Sequence, residues 1–336
     1  MAFKYTNNNN ISLPLAVFLM HDSYDYDDRA SVISATALLR PMRQLVLMEQ
    51  NKNLAKTVDI GELAASRMGS AIHAGCEAAW SDRNNVLSAL ELFGAGENVI
   101  DHIRVNPEKV NPGELPIYVE QRAEKEVPGI YDAFDLPIII SGKFDLVMEG
   151  NLHDYKSTSV WKYIFDSGRE DYIKQGSIYK WLNPEKITNG ILNIHYIFTD
   201  WSPAKAREDT KRYPQQRVAT KEYPLWSEPE TESWIIGKLE ILQGLLAQPQ
   251  EALPECTDEE LWASDTVYKY YKNPNKLDRS TKNFDTMDAA VIRKSADGDI
   301  GIIKEVRGEV KACRYCPAVS VCDQASNMLA NGRLSL

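Results

Sequence analysis

Two aspartates and a lysine stand on either side of one short turn in the sequence. Asp154 and Lys156 follow Asp145 at distances of nine and eleven residues. A loop of two residues, either 149–150 or 150–151, makes a β-hairpin whose three polar side chains share one face, because side chains alternate along a strand. Carboxylates on neighbouring strands, with Cβ atoms roughly 5 Å apart, are best tolerated around a divalent cation. The hairpin therefore predicts a metal centre suited to phosphodiester hydrolysis.

Three further polar side chains accompany the hairpin. His73 lies in a helical pattern one turn after Gly69, where a glycine lets a backbone or a phosphate approach closely. A lone helical histidine is more often packed or exposed than a ligand, and only the acidic hairpin downstream makes His73 a candidate. Gln175 and Tyr179 are four residues apart and share a helix face. They either orient a phosphate and stack on a base or simply form part of an amphipathic helix with a buried tyrosine.

The elements that must position these residues alternate between helix and strand. We expect a helix or helix pair over 31–50 divided at Pro41, a helix over 60–80, strands from 117 through the hairpin, a helix over 170–182, a buried strand over 190–201 and a helix over 230–246. This order predicts an α/β fold with a mixed central β-sheet flanked by helices. We divide the chain into a flexible N-terminal segment, 1–30, a core, 31–248, and a C-terminal cysteine-cluster region, 249–336, packed on the core.

The bulk composition is that of an ordinary globular chain with room for a full core. The chain has 336 residues, of which 43% are hydrophobic and 26% charged. It contains no run of 18 apolar residues and begins without the apolar core of a signal peptide, so we expect a cytoplasmic protein with no membrane partner. Five cysteines, an odd number, do not indicate a disulfide framework.

The net charge of −10 argues against a protein that coats nucleic acid, but not against one that grips DNA in a single groove. One segment, 201–225, is locally basic. Its basic residues are Lys205, Arg207, Lys211, Arg212, Arg217 and Lys221. The segment is either a loop that contacts DNA or an ordinary solvated loop, and the sequence favours neither.

Three cysteines form a tight group near the C-terminus. Cys313 and Cys316 are separated by two residues, and Cys322 follows after five more. Thiolates at this spacing can share one metal ion or cluster. Cys256 and Cys76 are the candidates for a fourth ligand. We choose Cys256, which is nearer in sequence, because Cys76 lies inside an apolar helical pattern where an inert buried thiol is the usual case.

Four short motifs in a fixed order resemble the RecB-type branch of the PD-(D/E)xK nuclease superfamily, over about residues 34–200. They are Gly-x-x-x-His at 69–73, Gly-x-x-Asp at 142–145, Asp-x-Lys at 154–156 and Gln-x-x-x-Tyr at 175–179. The set also resembles the exonucleases that bacteriophages encode beside recombination functions. The resemblance implies a restriction-endonuclease-like core within the α/β class.

Carried over to this chain, the resemblance implies a role for each motif residue. His73, Asp145 and Asp154 would bind Mg²⁺ or Mn²⁺, together with the backbone carbonyl of Tyr155, and Lys156 would position or deprotonate the attacking water. Burial beside a metal would lower the pKa of that lysine. Gln175 and Tyr179 would belong to the same catalytic centre. Glu120 is a further candidate acid, although a strand-end glutamate is more often simply exposed.

The activity expected from the resemblance is that of a metal-dependent DNA exonuclease in phage-type recombination, replication or repair. The alternatives are an endonuclease of the restriction or CRISPR-adaptation type and a non-catalytic DNA-binding protein on the same fold. The sequence has no Gly-x-x-x-x-Gly-Lys-Ser/Thr phosphate loop. Unwinding or strand annealing would therefore come from a partner, such as a single-strand annealing or recombination protein.

The cysteine spacing also resembles the segment that closes the iron–sulfur site of RecB-like nucleases. Those proteins place the fourth cysteine ahead of the histidine motif, whereas the corresponding segment here, 39–43, contains none. With Cys256 as the fourth ligand, we expect a [4Fe–4S] cluster, with Zn²⁺ as the alternative, since four thiolates suit both. The cluster would be structural, holding the C-terminal region on the core.

Overall fold

The computed structural model describes residues 3–22, 27, 29–53 and 56–336. The described chain divides into two compact units, each with its own core. The first, here called the sheet unit, contains residues 3–39 and 56–241 within those limits. The second, the cysteine unit, contains residues 40–53 and 242–336.

The strands and helices are numbered in chain order. The strands are β1 (Phe3–Thr6), β2 (Val32–Ser34), β3 (Lys56–Asp59), β4 (Ile103–Val105), β5 (Leu115–Tyr131), β6 (Pro137–Met148), β7 (Asn151–Thr158), β8 (Ile191–Phe198), β9 (Val218–Pro224), β10 (Val267–Tyr271), β11 (Lys282–Phe284) and β12 (Ile302–Val306). The helices are α1 (Leu13–Met20), α2 (Ala35–Leu38), α3 (Met42–Gln50), α4 (Ala64–Ser81), α5 (Arg83–Phe93), α6 (Glu97–His102), α7 (Val160–Phe165), α8 (Arg169–Leu182), α9 (Pro203–Glu208), α10 (Glu228–Leu245), α11 (Met287–Ala296) and α12 (Asp323–Ala330).

A mixed β-sheet forms the centre of the sheet unit. Its strand order is β4-β5-β6-β7-β8-β9, and β2 pairs with β6 beside this path. The pairs β5–β6, β6–β7 and β8–β9 are antiparallel, whereas β2–β6, β4–β5 and β7–β8 are parallel. Helices flank the sheet, so the predicted α/β class with a mixed central sheet is confirmed.

Helix α8 buries most of its length against the sheet. Ile178 and Trp181 are fully buried, and burying each such side chain contributes about 1.5–3 kcal/mol. Gly176 allows the close approach, because a Cβ atom there would lie 2.8 Å from Leu225 and 3.0 Å from Leu192. The helix ends at Asn183, whose side-chain amide donates to the Tyr179 carbonyl at 3.0 Å. Packing on the sheet and this hydrogen bond at its end thus fix the helix that the sequence predicts over 170–182.

The hairpin between β6 and β7 turns in two residues, which is one of the two registers expected from the sequence. Met148 pairs with Asn151, so the loop is Glu149–Gly150. Both loop residues have positive φ, 51° and 73°, as in a type I′ turn. Glycine is required at the second position, because a Cβ atom on Gly150 would lie 2.2 Å from the Thr188 hydroxyl. This register places Asp145 across the hairpin from Asp154.

Two segments expected to be loose contain regular structure. Within 1–30, β1 pairs in parallel with β3, and the side chain of Asn7 closes the following turn through two bonds with the Ile11 backbone. Residues 3–22 thus contain a strand and a helix, while residues 1–2, 23–26 and 28 lie outside the described chain. The basic segment 201–225 contains α9 and the edge strand β9 rather than one long loop.

The predicted helix pair over 31–50 begins as a strand. Residues 32–34 form β2, Ser34 then caps α2 by accepting from the Ala37 amide at 3.1 Å, and Pro41 stands directly before α3. Pro41 divides the segment as expected, since proline cannot continue the hydrogen bonding of a preceding helix. The cysteine unit begins at this division and includes α3. The sequence boundary at 248–249 does not anticipate that membership.

The cysteine unit combines a three-stranded antiparallel sheet, β11-β10-β12, with α3, α11 and α12. Its buried core includes Val46, Leu47, Leu253, Leu261, Val310, Cys313, Ala318, Cys322, Ala325, Met328 and Leu334. Cys256 and Cys316 pack against this core and are partly buried. Across both units, no helix in the described part of the chain is long and apolar enough to span a membrane.

Candidate active site

The predicted site residues lie where β6 and β7 separate. The two strands pair over 146–148 and 151–153, whereas further back along β6 residues 139–141 pair with β2. A fork is left between β6 and β7, and Asp145 stands at its opening. Its Oδ2 atom accepts a hydrogen bond from the Tyr155 amide at 2.8 Å, so a carboxylate takes the place of a neighbouring strand at that amide.

Asp154 and Lys156 line the same fork from β7. Asp154 is buried, with 5% of its surface exposed, and its Oδ2 atom lies 2.6 Å from Lys156 Nζ. The contact is an ion pair without regular hydrogen-bond geometry, and Asp154 Oδ2 has no hydrogen-bond partner among the described residues. A buried carboxylate oxygen costs free energy unless a cation compensates it, and the Lys156 ammonium does so here.

His73 approaches the fork from α4. Its Nδ1 atom lies 3.4 Å from Asp145 Oδ2, and its ring hydrogen-bonds with the backbone of Tyr155. The helix can come this close because position 69 is glycine: a Cβ atom there would lie 3.2 Å from the Ser157 hydroxyl on β7. His73, Asp145 and the Tyr155 backbone are therefore in contact, and Asp154 directly precedes Tyr155 on β7.

The carboxylates of Asp145 and Asp154 repel each other when both are ionised. Burial raises the pKa of Asp145 to about 8, and the charge of Asp154 adds to the effect. Burial lowers the pKa of His73, and the charge of Lys156 lowers it further, which leaves a neutral imidazole able to bind a metal.

Lys156 departs from its expected electrostatics. Burial lowers its pKa, but the charges of Asp154 and Asp145 and the contact with Asp154 outweigh burial, so that the pKa is raised. The expectation of a lowered pKa concerns a lysine beside a metal and stays a prediction, whereas without a metal Lys156 is an ammonium ion at neutral pH. The fork therefore offers a substrate the positive charge of Lys156 and not a neutral amine.

Glu120 faces this region from β5 and is already paired. It has a φ of 51°, unusual for a residue other than glycine. Its neighbours Val119 and Gln121 pair with β6 while Glu120 itself does not. Its Oε2 atom lies 2.5 Å from Lys143 Nζ. Burial raises the pKa of Glu120, although the bond to Lys143 opposes that rise. The Glu120–Lys143 pair was missed by the sequence reasoning, although Lys143 lies inside the 142–145 motif.

Gln175 and Tyr179 form a pair on α8. The Gln175 amide donates to the Tyr179 hydroxyl at 2.9 Å and lies 3.4 Å from the Thr36 hydroxyl. The Tyr179 ring also covers Gly142 of β6, where a Cβ atom would lie 2.9 Å from the ring. The second and fourth motifs therefore touch each other. The structure records this packing for the pair and no direct contact of Gln175 with the two aspartates.

The donors at the fork are carboxylates, an imidazole and a backbone carbonyl. In this conformation, no group of three or more His, Cys, Asp or Glu side chains in the described chain stands close enough to hold an ion, at the fork or among the cysteines. The chemistry of the donors nevertheless suits Mg²⁺ or Mn²⁺, since carboxylate and carbonyl oxygens are the ligands these ions prefer. The mutual repulsion of the Asp145 and Asp154 carboxylates is the observation that favours a cation at the fork.

The basic residues of 201–225 divide into two kinds. Lys221 is taken up internally, bonded to the Asp166 carboxylate at 2.9 Å and the Tyr163 carbonyl at 2.7 Å. The others are exposed at the surface of the sheet unit: Lys205, Arg207, Lys211, Arg212 and Arg217.

The four cysteines chosen as cluster ligands gather in the cysteine unit. Burial raises the pKa of Cys256 to about 12, and the neighbouring Glu260 and the thiols of Cys322, Cys313 and Cys316 add to the effect. Burial likewise raises the pKa of Cys313 to about 11. The Cys256 loop is held to α12 by Gln324, which accepts from the Cys256 amide at 2.9 Å and donates to its carbonyl at 3.0 Å. The thiols of Cys256 and Cys313 are thus neutral without a cation to hold them as thiolates.

A buried arginine stands beside this cluster. Arg43 is 3% exposed, and its Nε atom lies 3.4 Å from the Cys322 sulfur. It also pairs with Asp323 and donates to the Leu253 carbonyl at 3.1 Å. Arg43 lies in the segment 39–43, which lacks the cysteine expected from the resemblance. Cys76, the rejected fourth ligand, lies on α4 of the sheet unit instead, where burial raises its pKa.

Comparison with known proteins assigns no function to this chain. No protein-family model matches the chain, and no curated protein matches it. The chain is similar to a solved structure titled "Crystal structure of SSO0001", with 17% sequence identity and a TM-score of 0.37 over 66% of this chain and 80% of that chain. At that TM-score the likeness supports no argument about fold or function.

Proposed function

We propose that the protein is a metal-dependent deoxyribonuclease with a PD-(D/E)xK core, and that it acts as an exonuclease at DNA ends. The observation that carries the proposal is the fork, where Asp145 contacts His73 and the Tyr155 amide while Lys156 pairs with Asp154. Recombination, replication or repair of the phage type is the proposed setting, with a strand-annealing protein as a partner.

The groups that would hold Mg²⁺ or Mn²⁺ are His73, Asp145, Asp154 and the Tyr155 carbonyl. A bound ion would supply charge stabilisation at the phosphate and make water acidic enough to attack near neutral pH. The protein contributes the rigid placement of these groups. The bond from the Tyr155 amide to Asp145 fixes the β7 backbone relative to that carboxylate.

Lys156 has an electrostatic role in this proposal. Because its ammonium group is charged and held by Asp154, it can donate to a phosphate oxygen and orient the attacking water. The positive charge would be most favourable when negative charge on the phosphate is greatest, in the transition state. Gln175 and Tyr179 would act by positioning β6 through Gly142, with the Gln175 amide holding the Tyr179 hydroxyl.

Digestion of labelled DNA tests the proposal and separates its alternatives. We expect Mg²⁺ or Mn²⁺ to release short labelled products from end-labelled linear duplex or single strands, and to leave covalently closed circular DNA intact. Cleavage of the circle would instead favour the endonuclease. Binding of DNA without any cleavage, in either metal, would contradict the proposal and favour the non-catalytic DNA-binding protein.

We further propose that Cys256, Cys313, Cys316 and Cys322 hold a [4Fe–4S] cluster, with Zn²⁺ as the alternative. Four thiols in or against one buried core support a site completed by a cation, and the pKa values of Cys256 and Cys313 are raised by burial and by neighbouring thiols. We expect iron and acid-labile sulfide in protein purified without oxygen. Stoichiometric zinc without iron would show the alternative, and absence of both metals would contradict a metal site.

A further inference from the structure

Two exposed aromatic side chains stand on α7, directly after the strand that carries Asp154 and Lys156. Trp161 is 46% exposed and Phe165 72% exposed. They are four residues apart on one helix face, and their ring centroids are 6.0 Å apart at an interplanar angle of 22°. Trp161 follows Lys156 by five residues, which span at most about 18 Å even when fully extended. The rings therefore form a continuous apolar surface near the fork.

The inner face of α7 holds this surface rigidly. Val160 is fully buried, and its amide donates to Asp200 at 2.7 Å. Tyr163 packs edge-on against Tyr196 and Phe198, with centroids 5.2 and 5.3 Å away. Because these contacts anchor the helix, its attachment to the sheet does not depend on the exposed ring of Phe165.

Basic side chains border the aromatic surface. Lys205 Nζ lies 5.5 Å from the centroid of the Trp161 ring, at cation–π distance. Tyr213 meets the same ring edge-on at 6.4 Å, and its hydroxyl accepts from the Ser202 amide at 2.9 Å. These contacts bring the segment 201–217 beside α7. Among its exposed cations, Lys205 is thus next to the rings, although the whole chain carries a net charge of −10.

Single exposed apolar residues are common on protein surfaces and need no explanation. Two stacked rings bordered by cations, a short chain distance from a phosphodiesterase centre, form a more specific arrangement. Unpaired bases stack on exposed aromatic rings, while basic residues hold the phosphates of the same strand. Duplex DNA offers its phosphates but keeps its base faces stacked inside. The combination therefore fits a single strand better than a duplex.

We propose that Trp161 and Phe165 form a stacking platform for unpaired bases of single-stranded DNA, whose phosphates contact the exposed cations of 205–217. This inference rests on the proposed function for the identity of the ligand as DNA. It adds that the strand leading to the fork is unpaired. It also gives the exposed basic residues a role that the metal centre does not require.

Fluorescence anisotropy in EDTA measures this binding without hydrolysis. The probes are a labelled oligothymidine of about 20 nucleotides, longer than a typical single-strand site, an abasic strand of the same length and a blunt duplex. We expect Trp161→Ala and Phe165→Ala each to weaken oligothymidine binding by about five- to a hundredfold, the range for one lost base stack. Binding of the abasic strand should change less than about twofold, since it has no bases to stack.

Three controls make the result decisive. Trp161→Tyr should restore most of the binding, because tyrosine also offers a ring. Phe134→Ala removes another exposed ring of the sheet unit, 80% exposed, and should leave binding unchanged. If Trp161→Ala does not fold, Phe165→Ala decides, because that ring is the more exposed. Equal losses for oligothymidine and the abasic strand, or no loss with either variant, would overturn the inference.

The same measurements separate this inference from the proposed function. Wild-type protein that binds oligothymidine through Trp161 but never cleaves DNA with Mg²⁺ or Mn²⁺ would remove the proposed function and keep the platform. Protein that cleaves DNA ends at the same rate with and without Trp161, and binds oligothymidine equally well, would keep the function and remove the platform.

Discussion

Asp145 suits the proposed metal binding but reduces the stability of the fold when no metal is bound. It is held beside Asp154 in a buried fork, and burial together with that second charge raises its pKa to about 8. Two carboxylates placed to bind a cation repel each other when the cation is absent. Sites of this kind commonly reduce the stability of the fold that carries them.

Replacing Asp145 by asparagine should therefore stabilise the metal-free protein. The folded pKa lies above the unfolded value of about 3.9, so the wild-type chain loses stability as pH rises from about 4 towards 8. Asparagine cannot ionise and can still accept the Tyr155 amide. We expect Asp145→Asn to be more stable than wild type by roughly 2–4 kcal/mol at pH 8, with a smaller difference at pH 4.

Urea unfolding in EDTA at the two pH values measures this effect. Added Mg²⁺ should stabilise wild type more than the variant, because the ion binds the native carboxylates. An Asp145→Asn protein that is less stable than wild type at both pH values would contradict the account of the fork.

The sequence identifies the acidic hairpin more fully than its surroundings. Asp145, Asp154 and Lys156 follow from a two-residue turn and strand alternation, which are local properties. The Glu120–Lys143 pair depends on a positive φ at a glutamate, for which the sequence carries no signal. The raised pKa of Lys156 depends on how closely Asp154 approaches it, and that distance is set by the packing of the whole fork.

At the level of elements, β6 and α8 pack closely against each other beside the site. A Cβ atom at Gly142 would lie 2.8 Å from Leu182 and 2.9 Å from Tyr179. Both of these side chains are buried, so neither can move away freely. This contact explains why the Gly-x-x-Asp and Gln-x-x-x-Tyr motifs occur together. Gly142 of the first motif leaves the space that the Tyr179 ring of the second motif fills.

Gly142→Ala should destabilise the sheet unit by about 1–3 kcal/mol, the usual cost of overpacking a core. Gly75→Ala is the matched control, since a Cβ atom at that position on α4 meets nothing within 4 Å. Alanine should stabilise that helix by up to about 1 kcal/mol. Thermal unfolding of both variants checks the pair, and equal effects of the same sign would contradict the packing described.

The sequence predicts the long helices and the hairpin better than the short elements. Helix α8 has strong local signals at both ends, and its predicted bounds nearly match the observed Arg169–Leu182. The N-terminal asparagine run suggests a loose segment, yet Asn7 closes a turn and Asp59 accepts from the Asn8 amide at 2.7 Å. That partner is about fifty residues away in the sequence, so no local pattern reveals it.

At the level of the whole molecule, the chain leaves and re-enters the cysteine unit. Residues 40–53 belong with 242–336, and Arg43 provides the link, through Cys322, Asp323 and the Leu253 carbonyl. A contact over more than two hundred residues of sequence cannot be read from composition or periodicity. Two units with separate cores are expected to unfold in separate steps.

Removal of the cluster should affect only one of those steps. We expect Cys256→Ser to lose bound metal and to lower the unfolding temperature of the cysteine unit, because structural metal binding contributes directly to folding. Cys76→Ser, in the sheet unit, should retain the metal and leave that transition unchanged. Calorimetry combined with metal analysis checks both variants, and loss of metal from Cys76→Ser alone would show that the fourth ligand was chosen wrongly.

The central claim is that the fork between β6 and β7 hydrolyses DNA, and the rate of nucleotide release from end-labelled DNA in Mg²⁺ or Mn²⁺ tests it most directly. We predict that Asp154→Asn and Lys156→Ala each reduce this rate by at least about a hundredfold while the proteins remain folded. Glu91→Gln, which removes an exposed charge from α5 of the same unit, should release nucleotides at the wild-type rate. Folded Asp154→Asn and Lys156→Ala proteins that release nucleotides as fast as wild type would contradict the claim.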